Sequence, residues 1–381
     1  MKKSEVYLPS NDGKNQLHTV IWEPDTEYPR AILQIVHGMC EYVDRYDDFA
    51  NHLTQNGFAV IGNDHLGHGK SVKRNDDLGF FASTDGDKIV IEDLHNVMLF
   101  AKDKWLGTPL FMLGHSMGSF FTRVFLTKYS VELDGAVIMG TGFIPDSAAK
   151  IGMMLSSLIC KTKGERYKSK LLESLTLGSN NKAFAPNRTP DDWLSRDEKA
   201  VDKYVNDKLC GFTFTAKAYN DFFKIIHSIA INKNCEGISK ELPVLITSGE
   251  VDPVGGKKAC EKLLFKYESA KITDTSIRLY PNDRHEILNE LDKEEVYKDI
   301  ADWLISIVKF TLDFLLYLLY NLYTAYYGQA RDTQYPPIIA RLEKEIKRLC
   351  TLLLLQAVSS TRLLKAMFFI SKSLMLRLKR M

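Results

Sequence analysis

The chain predicts an α/β fold: a mostly parallel sheet of about eight strands with helices on both faces, an inserted helical cap, and an extra helical segment at the C-terminal end. Three observations carry this. Short β-branched runs alternate with stretches of helical periodicity through most of the 381 residues. Roughly a hundred residues in the middle hold helical patterns and no convincing strand, far more than an α/β connection needs. The last fifth of the chain changes character: 310–381 has 11 basic and 4 acidic residues, or +7, so within a total of +2 the rest carries −5.

Taken in order, Leu17 to Glu23 is an early strand, and AILQIVH at 31–37 is a buried strand. Tyr42 to Gln55 follows as a helix that stops at Gly57. FAVIGND at 58–64 is the next strand, Lys88 to Trp105 a long helix, and PLFMLGH at 109–115 another strand running directly into a helix over 117–129. GAVIMG at 135–140 and PVLITS at 243–248 are strands on either side of the gap, followed by a helix at 257–268, a strand at 276–280 and a helix at 293–308. The organisation is therefore a core in two parts, 1–142 and 241–309, a helical cap over 143–240, and a tail over 310–381. Helices at Ser147 to Cys160 and Ala216 to Ile231 give the cap its body, with Met153, Met154, Leu155, Phe212, Phe214, Phe222 and Phe223 as its apolar content. These side chains serve either to pack cap helix on cap helix or to wall an acyl-sized pocket.

A composition of 45% hydrophobic and 26% charged residues is that of a folded globular protein. Lys plus Arg (50) nearly balances Asp plus Glu (48), so no global field points to nucleic acid. Six scattered cysteines form no C-x-x-C pair, and the first residues run into no apolar signal region. The expected location is a reducing cytoplasm, with the inner face of the membrane as a peripheral option.

Gly114-His115-Ser116-Met117-Gly118 falls where a strand hands over to a helix. Two glycines let the chain turn tightly there, so that the serine Oγ stands clear at the sheet's carboxyl edge and the helix start offers the Met117 N–H to a developing oxyanion. A serine hydroxyl is a poor nucleophile until a base takes its proton, so an acid and a histidine are expected downstream in that order. Asp252 follows strand 243–248 in SGEVDP, and His285 follows strand 276–280 in PNDRHE; it is the one histidine after Asp252. Glu250 is the rival acid, and Asp283 lies too close to His285 in sequence to orient its ring. His37-Gly38-Met39 ends strand 31–37, where a glycine lets the Met39 N–H turn toward the nucleophile as second oxyanion donor.

NDHLGHGKS at 63–71 ends like a phosphate loop, yet the position that would need glycine is Asp64, so nucleotide binding is not expected. His65 and His68 lack the spacing of a metal motif and are expected to stabilise the loop. No cofactor or metal is expected.

HG, D-x-x-G-x-G-x-S, GHSMG, the G-x-x-D-P loop and R-H-E together resemble the α/β-hydrolase superfamily, and within it the bacterial type of the monoacylglycerol lipase and lysophospholipase branch, over about residues 5–309. The resemblance implies an α/β-hydrolase fold, Ser116 as nucleophile, Asp252 and His285 as its partners, the Met39 and Met117 N–H groups as oxyanion hole, and a cap over an acyl channel. It implies a serine hydrolase acting on lipid esters. Where relatives often carry a further glycine and a histidine after HG, this chain has Cys40 and Tyr42. A thioesterase or short-chain carboxylesterase would use the same three residues, and a non-catalytic scaffold acting through the tail is the alternative outside enzymes.

In the tail, Phe314 to Ala330 is uncharged but short of the roughly 20 apolar residues a membrane span needs. Beyond Pro336-Pro337, apolar stripes run beside basic ones, and six basic residues and no acidic one follow Gln356. Packing on the body, homo-oligomerisation, peripheral membrane binding and a fused appendage all remain open.

Overall fold

Alternation decides the sheet. Along β5 (Leu110–His115), Leu110 and Met112 enter one apolar core while Phe111 and Leu113 enter the other, and all four are fully buried. β3 (Ile32–Val36) divides in the same way, with Ile32 and Val36 on one side and Leu33 and Ile35 on the other. A strand apolar on both faces is covered by helices on both. The computed structural model describes residues 1–308, and the tail expectations for 310–381 lie outside them.

The eight strands lie in the order β1-β2-β4-β3-β5-β6-β7-β8. β1 (Lys2–Pro9) and β2 (Gln16–Glu23) pair antiparallel, as do β2 and β4 (Ala59–Asn63). The rest of the sheet, through β6 (Gly135–Met139), β7 (Val244–Gly249) and β8 (Thr275–Tyr280), is parallel. Sequence reading had located seven of these strands and missed β1. Its KKSEVYLP alternates between exposed and half-buried positions, and the lysines and terminal proline that suit a sheet edge hide it from a search for apolar runs.

One face carries α2 (Gly86–Lys104), α3 (Met117–Tyr129) and α8 (Gly256–Ser269); the other carries α1 (Asp47–Gln55) and α9 (293–308). The helix expected from Tyr42 begins only at Asp47. Val43–Tyr46 is instead a 3-10 turn, because the Val43 N–H is taken by the buried carboxylate of Asp64 at 2.8 Å.

The insertion between β6 and β7 holds α4 (Asp146–Lys163), α5 (Lys170–Thr176), α6 (Glu198–Val205) and α7 (Ala216–Ala230). α4 and α7 approach closely because residue 152 is glycine: a Cβ there would meet the Phe223 ring at 2.5 Å. Phe222 from the same helix packs edge-on to Phe120 of α3, with ring centroids 5.5 Å apart, fastening cap to core directly behind the helix that starts at Ser116. Phe214, Phe222 and Phe223 are buried, whereas Met154 is 63% exposed. Among the described residues no helix is long and apolar enough to cross a membrane.

Candidate active site

β5 ends at His115 and α3 starts at Met117, so Ser116 is a one-residue corner with φ 51° and ψ −119°. An L-residue holds such a conformation only where its surroundings over-determine it. Here they do. The Ser116 N–H donates to Met139 O at 2.9 Å, its carbonyl accepts from the Ser119 N–H, and a Cβ on Gly118 would strike Val36 O at 2.0 Å. A Cβ on Gly114 would likewise meet Gly118 O at 2.4 Å. The two glycines of the motif are there to let α3 and β3 close on the corner, leaving Ser116 half-buried while its neighbours are fully buried.

Asp252 and His285 meet. His285 Nδ1 lies 3.0 Å from each oxygen of the Asp252 carboxylate. That carboxylate also accepts from the Val254 N–H at 2.8 Å and the Ser248 hydroxyl at 3.1 Å. Burial pushes the Asp252 pKa up, but the charge and hydrogen bond of His285, with those two donors, hold it below the ordinary carboxylate value. Gly140, at the end of β6, is the near neighbour of this pair, since a Cβ on it would meet His285 Cε1 at 3.3 Å.

The rival acids go elsewhere. Glu250 is exposed and faces Lys257 at 3.8 Å. Asp283 is buried against Arg196 of the insertion, and its pKa is raised to about 7 by burial and by Glu290 and Asp292, against the pull of Arg196.

Met39 lies between Gly38 and Cys40 in the turn after β3. A Cβ on Gly38 would stand 3.2 Å from the Cβ of Ser116, so this turn runs against the serine. Among the described residues, neither the Met39 N–H nor the Met117 N–H finds an acceptor.

A family model described as "Serine aminopeptidase, S33" matches residues 27–292. The chain belongs to that α/β-hydrolase family. It is 24% identical to the monoglyceride lipase of Mus musculus over 310 residues, covering 78% of this chain and 89% of the relative. It is also 24% identical to the monoacylglycerol lipase of Mycolicibacterium smegmatis over 290 residues, 75% and 91% of the two chains. Among solved structures, a thermostable carboxyl esterase from Bacillus coagulans in complex with glycerol superposes with a TM-score of 0.75 at 26% identity, covering 81% of this chain and 99% of that one.

Behind the site this hydrolase buries a charge network that sequence reading did not single out. Arg45 reaches both oxygens of Glu286 at 2.7 Å and Glu41 Oε2 at 2.6 Å. Glu41 Oε1 in turn accepts from the Gly38 N–H, from the Tyr46 hydroxyl at 2.9 Å and from His115 Nδ1 at 3.1 Å, while His115 Nε2 lies 3.3 Å from His285 O. The turn carrying Met39, the residue before Ser116 and the residue after His285 are thus tied to one ion cluster. Burial alone would raise the Glu41 pKa; Arg45 and His115 instead hold it well below the usual range. Burial alone would lower that of His115, and Glu41 raises it. The signal in sequence was slight: Glu41 and Arg45 stand at i, i+4, but Glu286 is 241 residues away.

His37, His65 and His68 cluster with tilted or edge-on rings whose centroids are 3.9 to 6.0 Å apart. In His37 and His68 one ring nitrogen accepts a backbone N–H, a role only the neutral form can fill. His68 donates Nδ1–H to Leu66 O and accepts the Cys40 N–H on Nε2, while His37 Nε2 accepts the His65 N–H. Burial lowers all three pKa values, that of His68 to about 3. Cys40 and Tyr42 turn to the insertion: Cys40 Sγ donates to Phe212 O at 2.7 Å and the Tyr42 hydroxyl to Asp207 at 2.6 Å.

Proposed function

We propose that this hydrolase cleaves the carboxylic ester of a monoacylglycerol or lysophospholipid by a two-step acyl-enzyme route, with Ser116 as nucleophile, His285 as base and Asp252 as the acid that orients it. The observation that carries the reading is the His285–Asp252 pair at 3.0 Å, with the His285 ring 4.9 Å from that of His115, the residue before a serine held at a positive-φ corner. With Nδ1–H given to Asp252, the His285 ring keeps Nε2 for the Ser116 hydroxyl proton. The serine oxygen adds to the ester carbonyl, the oxyanion rests on the Met39 and Met117 N–H groups, and His285 returns the proton to the departing alcohol. Water, deprotonated by the same ring, then releases the acid and frees Ser116. The relatives' names and the phenylalanines of the cap support an acyl substrate.

A panel of monoacylglycerols, lysophospholipids, short-chain esters and acyl thioesters tests the reading on the full chain, with Ser116→Ala alongside. The expected result is a long-chain monoacyl optimum that Ser116→Ala abolishes together with fluorophosphonate labelling. A short-chain or thioester optimum would replace the substrate class, and retained turnover in Ser116→Ala would remove the nucleophile.

A further inference from the structure

Among the described residues, two buried cations on the far side of α3 have no carboxylate partner. Arg123 is 5% exposed and Lys266 8% exposed. Arg123 donates to Thr141 Oγ1 at 3.2 Å and Gly142 O at 3.0 Å, and its guanidinium lies over the Phe120 ring, 5.5 Å from the centroid. Lys266 Nζ donates to Ile229 O and, at 3.0 Å, to Ala230 O, the last carbonyls of α7. Among the described residues neither makes an ion pair with a carboxylate. The α7 carbonyls give Lys266 a helix-capping role, but a carbonyl carries only a partial charge, and two like charges buried in one region repel. Burial lowers both pKa values, and for Lys266 the field of Arg123 adds to the effect.

Both line one cavity of about 70 Å³, otherwise walled by Phe120, Phe143, Ile144, Ile226 and Ile229. The N-terminal end of α4 opens on it as well. Its one carboxylate, Asp146, is already engaged by Lys150 at 2.8 Å and by His227. Phe143 and Lys266 are shared with a wider surface groove that runs past Phe265, a phenylalanine 72% exposed, and past two lysines, Lys258 and Lys262, and two glutamates, Glu236 and Glu261.

We propose that this cavity is a second binding site, distinct from the Ser116 corner, for the oxyanion head of a single-chain amphiphile, with Arg123 and Lys266 on the head and the Phe143–Phe265 groove under the chain. The shared chemistry is a carboxylate or phosphate head on an apolar tail. A strongly hydrated inorganic dianion gains little from phenylalanine and isoleucine walls, and a neutral alcohol leaves the two charges unanswered. A fatty acid released by ester hydrolysis and a lysolipid phosphate both have the required form, so the site would let this hydrolase sense its own product or the acidic lipid around it. The preference for an amphiphile follows from the cavity itself, and only the choice of product as source rests on the proposed function.

Calorimetric titration of the full chain with octanoate, octyl phosphate, octanol and inorganic phosphate, in the absence of any ester, tests this independently of the Ser116 assignment. Octanoate or octyl phosphate is expected to bind about tenfold or more tightly than octanol, and the tighter of the two identifies the source. That preference should vanish in Arg123→Met and in Lys266→Met, each checked for an unchanged thermal transition, and persist in Lys266→Arg. Equal binding of octanol and the acids would overturn the proposal. So would a charge preference that survives both methionine variants, or inorganic phosphate binding as tightly as octyl phosphate.

Discussion

Arg45 and Arg123 are both buried, and their surroundings could hardly differ more. Arg45 is matched by two carboxylates, Glu41 and Glu286, and its guanidinium also lies 4.9 Å from the Tyr204 ring of the cap. Arg123 has hydroxyl, carbonyl and aromatic neighbours and no carboxylate partner among the described residues. A charge whose counter-charges come from its own chain is part of the scaffold, because removing it strands its partners in low dielectric. A charge without them stores an unanswered field, which is what a ligand site requires. The three-histidine cluster shows a further solution, in which burial simply keeps ionisable groups neutral.

Arg45→Met breaks the matched side and should have the largest effect, about 3–5 kcal/mol of unfolding free energy, because Glu41 and Glu286 are left buried and charged. Urea unfolding measures it, and a loss below about 1 kcal/mol would erase the contrast between the arginines. Glu286→Gln is milder, at about 1–3 kcal/mol, since a hydrogen-bonding partner remains for Arg45. Its signature is functional: with the residue beside His285 loosened, kcat should fall while KM holds. An equal rise in KM would place Glu286 in substrate binding instead.

The neutral cluster predicts a pH effect with a definite sign. Histidines whose folded pKa is depressed stabilise the fold fully above the unfolded value of about 6.5, and that stability is lost as pH falls through the folded pKa, for His68 about 3. Below pH 6.5 the unfolded chain takes up protons that the folded one refuses. Removing one such group in His68→Asn should flatten the decline of unfolding free energy between pH 6 and 4 by up to about 1.4 kcal/mol per pH unit. An unchanged slope would mean that the ring is protonated in the fold. Smallest of all, Arg123→Met should alter stability by no more than about 1 kcal/mol, the lost hydrogen bonds being offset by the relief of an uncompensated buried charge. A loss matching that of Arg45→Met would make Arg123 scaffold after all.

What could be read from the sequence divides along a physical line. Ser116 was legible because its corner demands glycine on both sides at fixed spacing, a local requirement written locally. Asp252 was separable from Glu250 because the chain turns at Pro253, and two residues of offset decide whether a carboxylate faces His285 or solvent. β1 was missed because its inward face offers only Val6 and Leu8 as half-buried apolar residues, too few to stand out as a run. The Arg45 cluster was missed because His115 and Glu286 lie far along the chain from Glu41, Arg45 and Tyr46, and nothing in periodicity or spacing relates residue 45 to residue 286. Arg123 carries no signal in the sequence; only the fold brings it to Thr141 and into one cavity with Lys266.

The insertion is bonded through its backbone to the loop of His285, and this has a mechanical side. The N–H groups of His285 and Glu286 donate to the carbonyls of Trp193 and Leu194, and two residues further on Arg196 is gripped by Asp283, Glu290 and Asp292. This stretch of the cap is riveted to the loop it covers. A lid swinging as one rigid plate would tear those rivets and drag His285 off Asp252 with each opening. A bulky guest that spares the His285 loop must therefore pass on the other side of the cap, where α7 is held to α4 by Gly152 against the Phe223 ring and by the Asp146–His227 pair, and to α3 by Phe222 on Phe120.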